Sequence, residues 1–231
     1  MIKSIHNKNV ERALKIAKVA AKLFNTKGYL ETNMDDIGNG AKLSKGGIYH
    51  YFSSKDEILF FLLDNYMNII LQDLEESLQN VAGHSSSRIE FIISRHIRIY
   101  TQNAPESKVL LHEAHCLPSK YYKIIAEKER RYYQIVAKDL SNFFGSKSGV
   151  TKGQITVLTF LLFGMCNWIY SWYNPKGAVT AEELSKTIFA VFLDGVRKYS
   201  GSRPSHNSSQ FYLPNGFESH YGRSILHKAG S

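Results

Sequence analysis

The stretch TNMDDIGNGAKLSKGGIYHYFSSK, residues 32–55, decides the fold of this 231-residue chain. It predicts two short helices and the start of a third. Asn33 is suited to cap the first helix, with Asp36 placed to complete a capping box, and Ser44 is suited to cap the second. Two serines before Lys55 offer a third cap, and acidic residues follow them in the first turn, where the helix dipole favours negative charge.

The second short helix begins with small and basic residues and continues with aromatic ones. Two short helices joined by a turn are typical of a helix-turn-helix, whose second helix brings its N-terminal end close to the bases. Lys45 and the free N–H groups at that end favour phosphate. Gly46 and Gly47 each cost a helix about 1 kcal/mol relative to alanine, a cost that close approach to another backbone would explain.

The segment around these helices resembles the DNA-binding headpiece of the tetracycline-repressor (TetR) family of bacterial and archaeal transcription regulators. Two positions depart from the family pattern: Gly38 stands where alanine is usual, and Lys42 stands where glycine usually makes the turn. A left-handed turn costs a residue other than glycine about 1–2 kcal/mol. The matching landmarks are Phe24, Gly28, Tyr29, Thr32, Asp36, Ile37, Ala41, Ser44, Lys45, Gly46, Ile48, Tyr49, Tyr51, Phe52 and Lys55.

The resemblance implies which residues contact DNA. It places residues 44–51 in the major groove, with Ile48 and Phe52 as buried supports. Tyr49 is the contact that we expect to matter most. The full set of expected DNA-binding residues is Thr32, Asn33, Ser44, Lys45, Gly46, Tyr49, His50 and Lys55, of which Thr32, Asn33 and Lys55 are expected to hold the phosphate backbone.

The net charge of +9 is concentrated in the predicted headpiece. Residues 1–55 carry ten Lys/Arg and four Asp/Glu, a net charge of +6, whereas residues 56–199 have a net charge of +1. A surface that binds phosphates requires such an excess.

Composition narrows the class of protein further. The two cysteines, Cys116 and Cys166, do not form a disulfide framework. The opening MIKSIHNKNVERALK has no apolar core segment, so we expect no secretory signal. The longest apolar stretch, residues 155–173, is interrupted by Thr, Gly, Asn and Ser, so we expect a soluble, cytoplasmic protein with no membrane partner. Motifs of nucleotide loops and nucleophile elbows are missing from the sequence, and we expect no enzymatic activity.

We expect an all-α protein. A helix-turn-helix domain is predicted over residues 1–54, a ligand-binding and dimerisation domain over 55–199, and a disordered tail or residues added for expression over 200–231. Hydrophobic periodicity predicts a short basic lead-in followed by long helices. Their predicted bounds are 10–27, 55–81, 88–103, 105–116, 119–144, 154–173 and a last helix capped by Thr180.

The helices predicted at 154–173 and after Thr180 are too apolar to be surface helices of a monomer. A two-fold helical dimer interface explains them. The resemblance implies the same interface, because TetR-like proteins dimerise through their last two long helices. We therefore expect a homodimer on a palindromic operator.

The C-terminal segment NWIYSWYNPKGAVTAEEL resembles a TetR subset that often responds to fatty acids or acyl-CoA, through Trp168, Trp172, Tyr173, Pro175, Gly177 and Thr180. This implies a repressor that a hydrophobic effector releases from its operator. A regulator of drug efflux or of an aromatic metabolite is an alternative, as is a helical ligand-binding protein without DNA binding. The candidate ligand-binding residues are His96, Tyr100, His112, Tyr122, Arg130, Tyr133 and Trp168.

The run HEAHC brings His112, His115 and Cys116 to neighbouring parts of one helical face. Such a face could ligate a transition metal, but the sequence shows no fourth ligand. Polar lining of a pocket and ordinary packing also explain these residues. We expect no metal and no cofactor.

Overall fold

The computed structural model describes residues 2–145 and 149–201, and of residues 2–8 and 199–201 it describes the backbone only. Within these residues the chain is helical and contains no strand. Ten α-helices follow one another: α1 Ile2–Lys27, α2 Met34–Gly40, α3 Lys45–Tyr49, α4 Lys55–Leu71, α5 Leu74–Gln79, α6 Ser85–Gln102, α7 Ala104–Glu113, α8 Ser119–Phe144, α9 Lys152–Asn167 and α10 Ala181–Gly201. Short 3₁₀ turns follow α7 at Ala114–Cys116 and α9 at Trp168–Ser171.

The chain forms two compact units. The first comprises Met1–Ile69 and Asn103–Lys128. In it, α1 packs against both α2 and α7, and α2 packs against α3. Helix α4 joins this unit through a buried hydrogen bond of 2.6 Å between the hydroxyls of Tyr66 and Ser107, on α7. The two short helices are therefore held against α1, which itself packs on α7.

The second unit comprises Ile70–Gln102 and Glu129–Ser231. Helices α6 and α10 pack along each other, and both contact α9. The rear part of α8 joins them through an ion pair between Arg88 of α6 and the buried carboxylate of Asp139. Its core is mainly aliphatic side chains from α6, α8, α9 and α10.

The predicted lead-in at residues 1–10 is corrected by the structure, because α1 already begins at Ile2. Residues 2–27 contain neither proline nor glycine, so no residue in that segment interrupts the helical path. The helix ends as expected at Gly28, whose φ of +90° takes the left-handed conformation that favours glycine.

The prediction of one helix over residues 55–81 was wrong. Helix α4 ends at Leu71, Asp73 adopts a left-handed conformation with φ 51°, and α5 begins at Leu74. The guanidinium of Arg95, on α6, donates to the carbonyl oxygens of Ile70 and Gln72 at 3.4 and 2.6 Å. These bonds satisfy carbonyls that a continued helix would have used, and aspartate tolerates the left-handed region better than most residues.

The helix predicted over 154–173 ends earlier, at Asn167, and continues only as a 3₁₀ turn at Trp168–Ser171, whereas the remaining helix predictions were confirmed to within a few residues. The predicted bounds of α8 agree with the structure, and α6, α7 and α10 lie where the periodicity placed them. Thr180 caps α10 as expected, because its hydroxyl oxygen accepts from the N–H of Glu183 at 3.1 Å. The expected tail at 200–231 lies outside the described residues, apart from the last residues of α10.

Helix α9 is the most apolar element. By length and composition, Lys152–Ser171 could cross a membrane, but 39% of that window is buried inside the protein. One side of α9 is buried in the second unit, through Leu158, Leu162 and Cys166. The opposite side leaves Val157 and Leu161 more than half exposed.

Candidate nucleic-acid interface

Helix α2 is held by the capping box that its sequence predicted. The side-chain oxygen of Asn33 accepts from the N–H of Asp36 at 2.7 Å, and the carboxylate of Asp36 accepts from the N–H of Asn33 at 3.0 Å. Lys27 donates to the same carboxylate at 2.7 Å, and this contact and the capping bond keep the pKa of Asp36 below its ordinary value. The start of α2 is thus fixed to the end of α1.

The turn between α2 and α3 is tight and includes Lys42 with φ 55°. The N–H of Leu43 donates to the carbonyl of Gly38 at 2.9 Å and closes the turn. A Cβ added to Gly38 would meet Leu43 and Ile48 at ordinary contact distances, 3.5 Å or more, so the alanine usual in the family would fit. A Cβ on Gly40 would lie 2.7 Å from Val19, so glycine there allows α2 to approach α1 closely.

Helix α3 is short and presents a polar face. The hydroxyl oxygen of Ser44 caps it by accepting from the N–H of Gly47 at 3.2 Å. Lys45, Gly46 and His50 are exposed, and a Cβ added to Gly46 would meet nothing within 4 Å. Among the residues that the structure describes, no contact requires glycine at position 46.

The buried side of α3 anchors it. Ile48 is fully buried and Phe52 is 6% exposed, so the prediction that both are buried supports was confirmed. Phe52 packs edge-on against Phe61 of α4. Tyr49 remains 45% exposed, although it is a large aromatic residue. The helix therefore offers a rigidly held surface of small, basic and aromatic side chains.

Lys55, the first residue of α4, ties the loop between α1 and α2 to the unit. Its ammonium group donates to the carbonyl oxygens of Tyr29 at 2.7 Å, Leu30 at 3.2 Å and Thr32 at 2.7 Å. It also lies 4.3 Å from the centre of the Tyr29 ring. These contacts make Lys55 an internal positioning residue, and its expected phosphate contact stays a prediction.

Two further side chains complete this loop. Thr32, an expected DNA contact, is buried, and its hydroxyl donates to the carbonyl of Gly28 at 2.7 Å. The hydrogen bond of this side chain is therefore made inside the protein. The hydroxyl of Tyr29 donates to the carboxylate of Asp56. Burial, followed by this carboxylate, raises the pKa of Tyr29 above its ordinary value, so the phenol stays protonated.

The expected ligand-binding residues lie in both units. In the second unit, the imidazole of buried His96 is stacked on Tyr100, with ring centres 4.3 Å apart. Its Nδ1 is 2.8 Å from the Tyr132 hydroxyl, and its Nε2 is 2.9 Å from the side-chain oxygen of Asn167. Burial lowers the pKa of His96 to about 4, so the ring is neutral near pH 7. His96 thus joins α6, α8 and α9.

The remaining candidates are not gathered around His96 in the same way. Tyr133 donates to the hydroxyl of Thr156 at 3.0 Å and stacks on Phe160. Trp168 is 62% exposed. Arg130 belongs to the second unit, whereas His112 and Tyr122 belong to the first.

Sequence reasoning missed the partners of His96. Tyr132 and Asn167 lie 36 and 71 residues away from it along the chain. Periodicity indicates which side of a helix is buried, but it does not indicate which buried side chains meet.

The HEAHC run does not form a metal centre among the residues that the structure describes, where no three His, Cys, Asp or Glu side chains converge. The thiol of Cys116 lies 3.5 Å from Nε2 of His115 and 3.8 Å from a carboxylate oxygen of Glu113. Burial and that carboxylate raise the pKa of the Cys116 thiol, which disfavours the thiolate form that binds metals.

Comparisons with known proteins agree with this geometry. Residues 16–60 match the family model of bacterial regulatory proteins of the tetR family, and residues 82–196 match a tetracyclin repressor-like C-terminal domain. The transcriptional repressor KstR2 of Rhodococcus jostii is 26% identical over 190 residues, which cover 80% of this chain and 91% of the relative. The negative transcriptional regulator IcaR of Staphylococcus aureus is 28% identical over 169 residues, covering 69% of this chain and 81% of the relative.

Solved structures show the same fold. A TetR-family regulator from Bordetella parapertussis superposes with a TM-score of 0.75 and 28% identity, covering 80% of this chain and 96% of that one. The structure of AibR in complex with isovaleryl coenzyme A and operator DNA gives a TM-score of 0.68 at 24% identity, covering 78% and 97%. With both of its parts matched and its helix-turn-helix in place, the chain belongs to the TetR family of transcriptional regulators.

Proposed function

We propose that this protein is a ligand-responsive transcriptional repressor that binds a palindromic operator as a homodimer and is released by a hydrophobic effector. The observation that carries the proposal is helix α3, which combines a fully buried anchor at Ile48 with an exposed face of Lys45, Gly46, Tyr49 and His50. Small residues at the start of the helix let its backbone approach the bases, while Lys45 and the free N–H groups attract phosphate.

The surface charge supports DNA as the partner. Three lysines are exposed along one side of α1, namely Lys15, Lys18 and Lys22. They contribute to the net charge of +6 that residues 1–55 carry. Neutralising phosphates with such residues releases counterions, so affinity falls steeply with salt. The expected partner is a double-stranded DNA operator. Because a protein that binds this operator must be inside the cell, the cytoplasm is the expected location.

The dimer is supported by the exposed side of α9. Residues four, four, three and four apart form one apolar stripe, made of Gly153, Val157, Leu161, Gly164 and Trp168. Val191 of α10 is 60% exposed as well. Covering this stripe with a second copy removes apolar surface from water and lets backbones approach at the two glycines. A dimer interface explains one exposed stripe on a helix whose other side is buried, whereas a membrane span would expose apolar side chains all round.

The effector is proposed to bind within the second unit, which holds the aromatic cluster around His96. AibR, whose fold this chain shares, binds isovaleryl coenzyme A and operator DNA together. The C-terminal resemblance to regulators that respond to acyl-CoA points the same way. Acyl-CoA is therefore the first effector to test, and a buried aliphatic chain would contribute roughly 0.8 kcal/mol per CH₂.

The test is a titration of the protein onto a labelled palindromic fragment from its own promoter region, at several salt concentrations, with and without medium- and long-chain acyl-CoA. We expect salt-dependent binding that acyl-CoA releases and free CoA does not. Tight operator binding that no acyl-CoA affects would support a DNA-binding regulator and reject acyl-CoA as its effector. A drug or an aromatic metabolite would then be the effector to test. Binding without salt dependence would contradict DNA recognition.

A further inference from the structure

One buried acid is exceptional among the buried polar side chains. Seven polar or charged side chains are buried in the described part of the chain: Thr32, His96, Ser107, Glu129, Asp139, Thr159 and Ser185. Six of them have a hydrogen-bond partner in the structure. Glu129 has no hydrogen bond or ion pair with any residue of 2–145 and 149–201, although only 8% of it is exposed.

The contrast with Asp139 shows that the fold can satisfy a buried acid. Asp139 lies on the same helix, α8, and is 2% exposed, but it accepts from the guanidinium of Arg88 at 2.5 Å. Buried carboxyl groups are normally paired, because removing an unpaired charge from water costs far more than burying an apolar group. Glu129 has no such partner, and its carboxyl oxygens are not among the fully enclosed polar atoms of the described residues, so they face space that water or a ligand can reach.

Glu129 shares its face of α8 with aromatic side chains. Residues three and four positions apart are neighbours on a helix surface, which places Tyr132 and Tyr133 on the next turn of the same face. Tyr132 carries the hydroxyl that meets His96 and packs on Phe163 of α9 at 5.4 Å. The carboxyl group thus lies one turn from the aromatic cluster of the second unit.

The environment of Glu129 leaves its charge unsettled. Burial raises the pKa of this carboxyl to about 7, so near neutral pH it is divided between the charged and neutral forms. A ligand group that donates a hydrogen bond or carries positive charge would favour the carboxylate, and a second carboxylate would oppose it.

We propose that Glu129 is the polar contact of the effector site and accepts a hydrogen bond from a donor group on an otherwise apolar effector. This inference rests on the proposed function, because it names the chemistry that the effector must carry. A free fatty acid, whose carboxylate has no proton to donate at neutral pH, fits poorly at this position. An amine, a hydroxyl or an amide N–H, such as those of the pantetheine arm of an acyl-CoA, fits well.

The test compares three probes of equal chain length, decylamine, decanol and decanoate, each below its micellar concentration. Their dissociation constants are measured by calorimetry at pH 7.5 on the full chain. We expect decylamine and decanol to bind at least about tenfold more tightly than decanoate. In Glu129→Gln, the ratio between decylamine and decanoate should fall by about tenfold, because the negative charge is lost.

A matched control is Glu127→Gln, which removes an exposed carboxylate two residues earlier on α8 and should leave the ratio unchanged. Glu129→Leu supplies a second variant, since an apolar residue suits the buried position if the glutamine does not. The inference is overturned by equal binding of the three probes, by a preference for decanoate, by a preference that survives both substitutions, or by no binding at all.

Operator binding is measured on the same samples. Normal operator binding without the expected probe preference would reject the role of Glu129 and leave the repressor assignment standing. If the unmodified chain does not bind the operator at all, the proposed function itself is rejected.

Discussion

Tyr49 and Ile48 are adjacent on α3 but lie in opposite environments, one 45% exposed and the other fully buried. We predict that Tyr49→Ala weakens operator binding without lowering the melting temperature much, because little apolar surface is lost from the core. Ile48→Ala should instead lower the free energy of unfolding by about 2–5 kcal/mol. Binding and thermal melting of both variants test the assignment, and a large stability loss with unchanged affinity in Tyr49→Ala would reverse it.

Lys42 is strained by its backbone conformation rather than by a contact. Its φ of 55° lies in the left-handed region, which costs a residue with a Cβ about 1–2 kcal/mol. We predict that Lys42→Gly raises the free energy of unfolding, by about 1 kcal/mol at most because glycine also loosens the unfolded chain. Lys42→Ala keeps the Cβ and should give no such gain in denaturant titrations. Equal effects of the two variants would contradict the strain argument.

At the scale of helices, the sequence predicted what local chemistry determines. Asn33, Ser44 and Thr180 cap their helices as their side chains and spacing indicated, because a cap needs only neighbours along the chain. The break at Asp73 could not be predicted in this way. It depends on Arg95, more than twenty residues later, and the apolar periodicity continues through the break because Leu74 is still buried.

Lys55 and Lys45 begin consecutive helices of the headpiece, α4 and α3, but differ in their contacts. Lys55 donates to three carbonyl oxygens of the loop between α1 and α2, whereas Lys45 is exposed. We predict that Lys55→Met lowers the free energy of unfolding by about 2 kcal/mol, since three hydrogen bonds from a charged donor are lost and two of them, to Tyr29 and Thr32, are partly buried. Lys45→Met should leave stability unchanged and weaken operator binding at low salt.

Denaturant titrations and operator titrations on both lysine variants test this division of roles. The salt dependence of operator binding should become less steep in Lys45→Met, by about one unit in the logarithmic slope if one phosphate contact is lost. Stability unchanged by Lys55→Met would mean that its three carbonyl contacts contribute nothing, and the phosphate contact alone would then explain this lysine.

At the scale of the whole molecule, the resemblance in residues 28–59 predicted the family and the all-helical fold. That resemblance did not predict which residues contact each other when they are far apart along the chain. Residues 103–128 cluster with the headpiece and α4, whereas the sequence grouped them with the C-terminal helices as a matter of chain order. The pairing of Tyr66 with Ser107 is one such contact, and neither residue carries a local signal for the other.

The proposed dimer makes the final prediction. A palindromic operator requires two recognition helices roughly 34–36 Å apart, or at another spacing that matches the groove, so loss of the dimer must lower affinity for the full site. Leu161 is 57% exposed in the middle of the apolar stripe of α9, so Leu161→Glu would bury a charge in the interface without disturbing the core of the monomer. We predict that Leu161→Glu is a monomer in light scattering and sedimentation, with affinity for the full operator reduced to that for a half-site.

The control variant Gln134→Glu adds the same charge to an exposed position of α8 and should leave a dimer with full affinity. A dimer that persists in Leu161→Glu would place the interface elsewhere, and the exposed stripe would then need another partner.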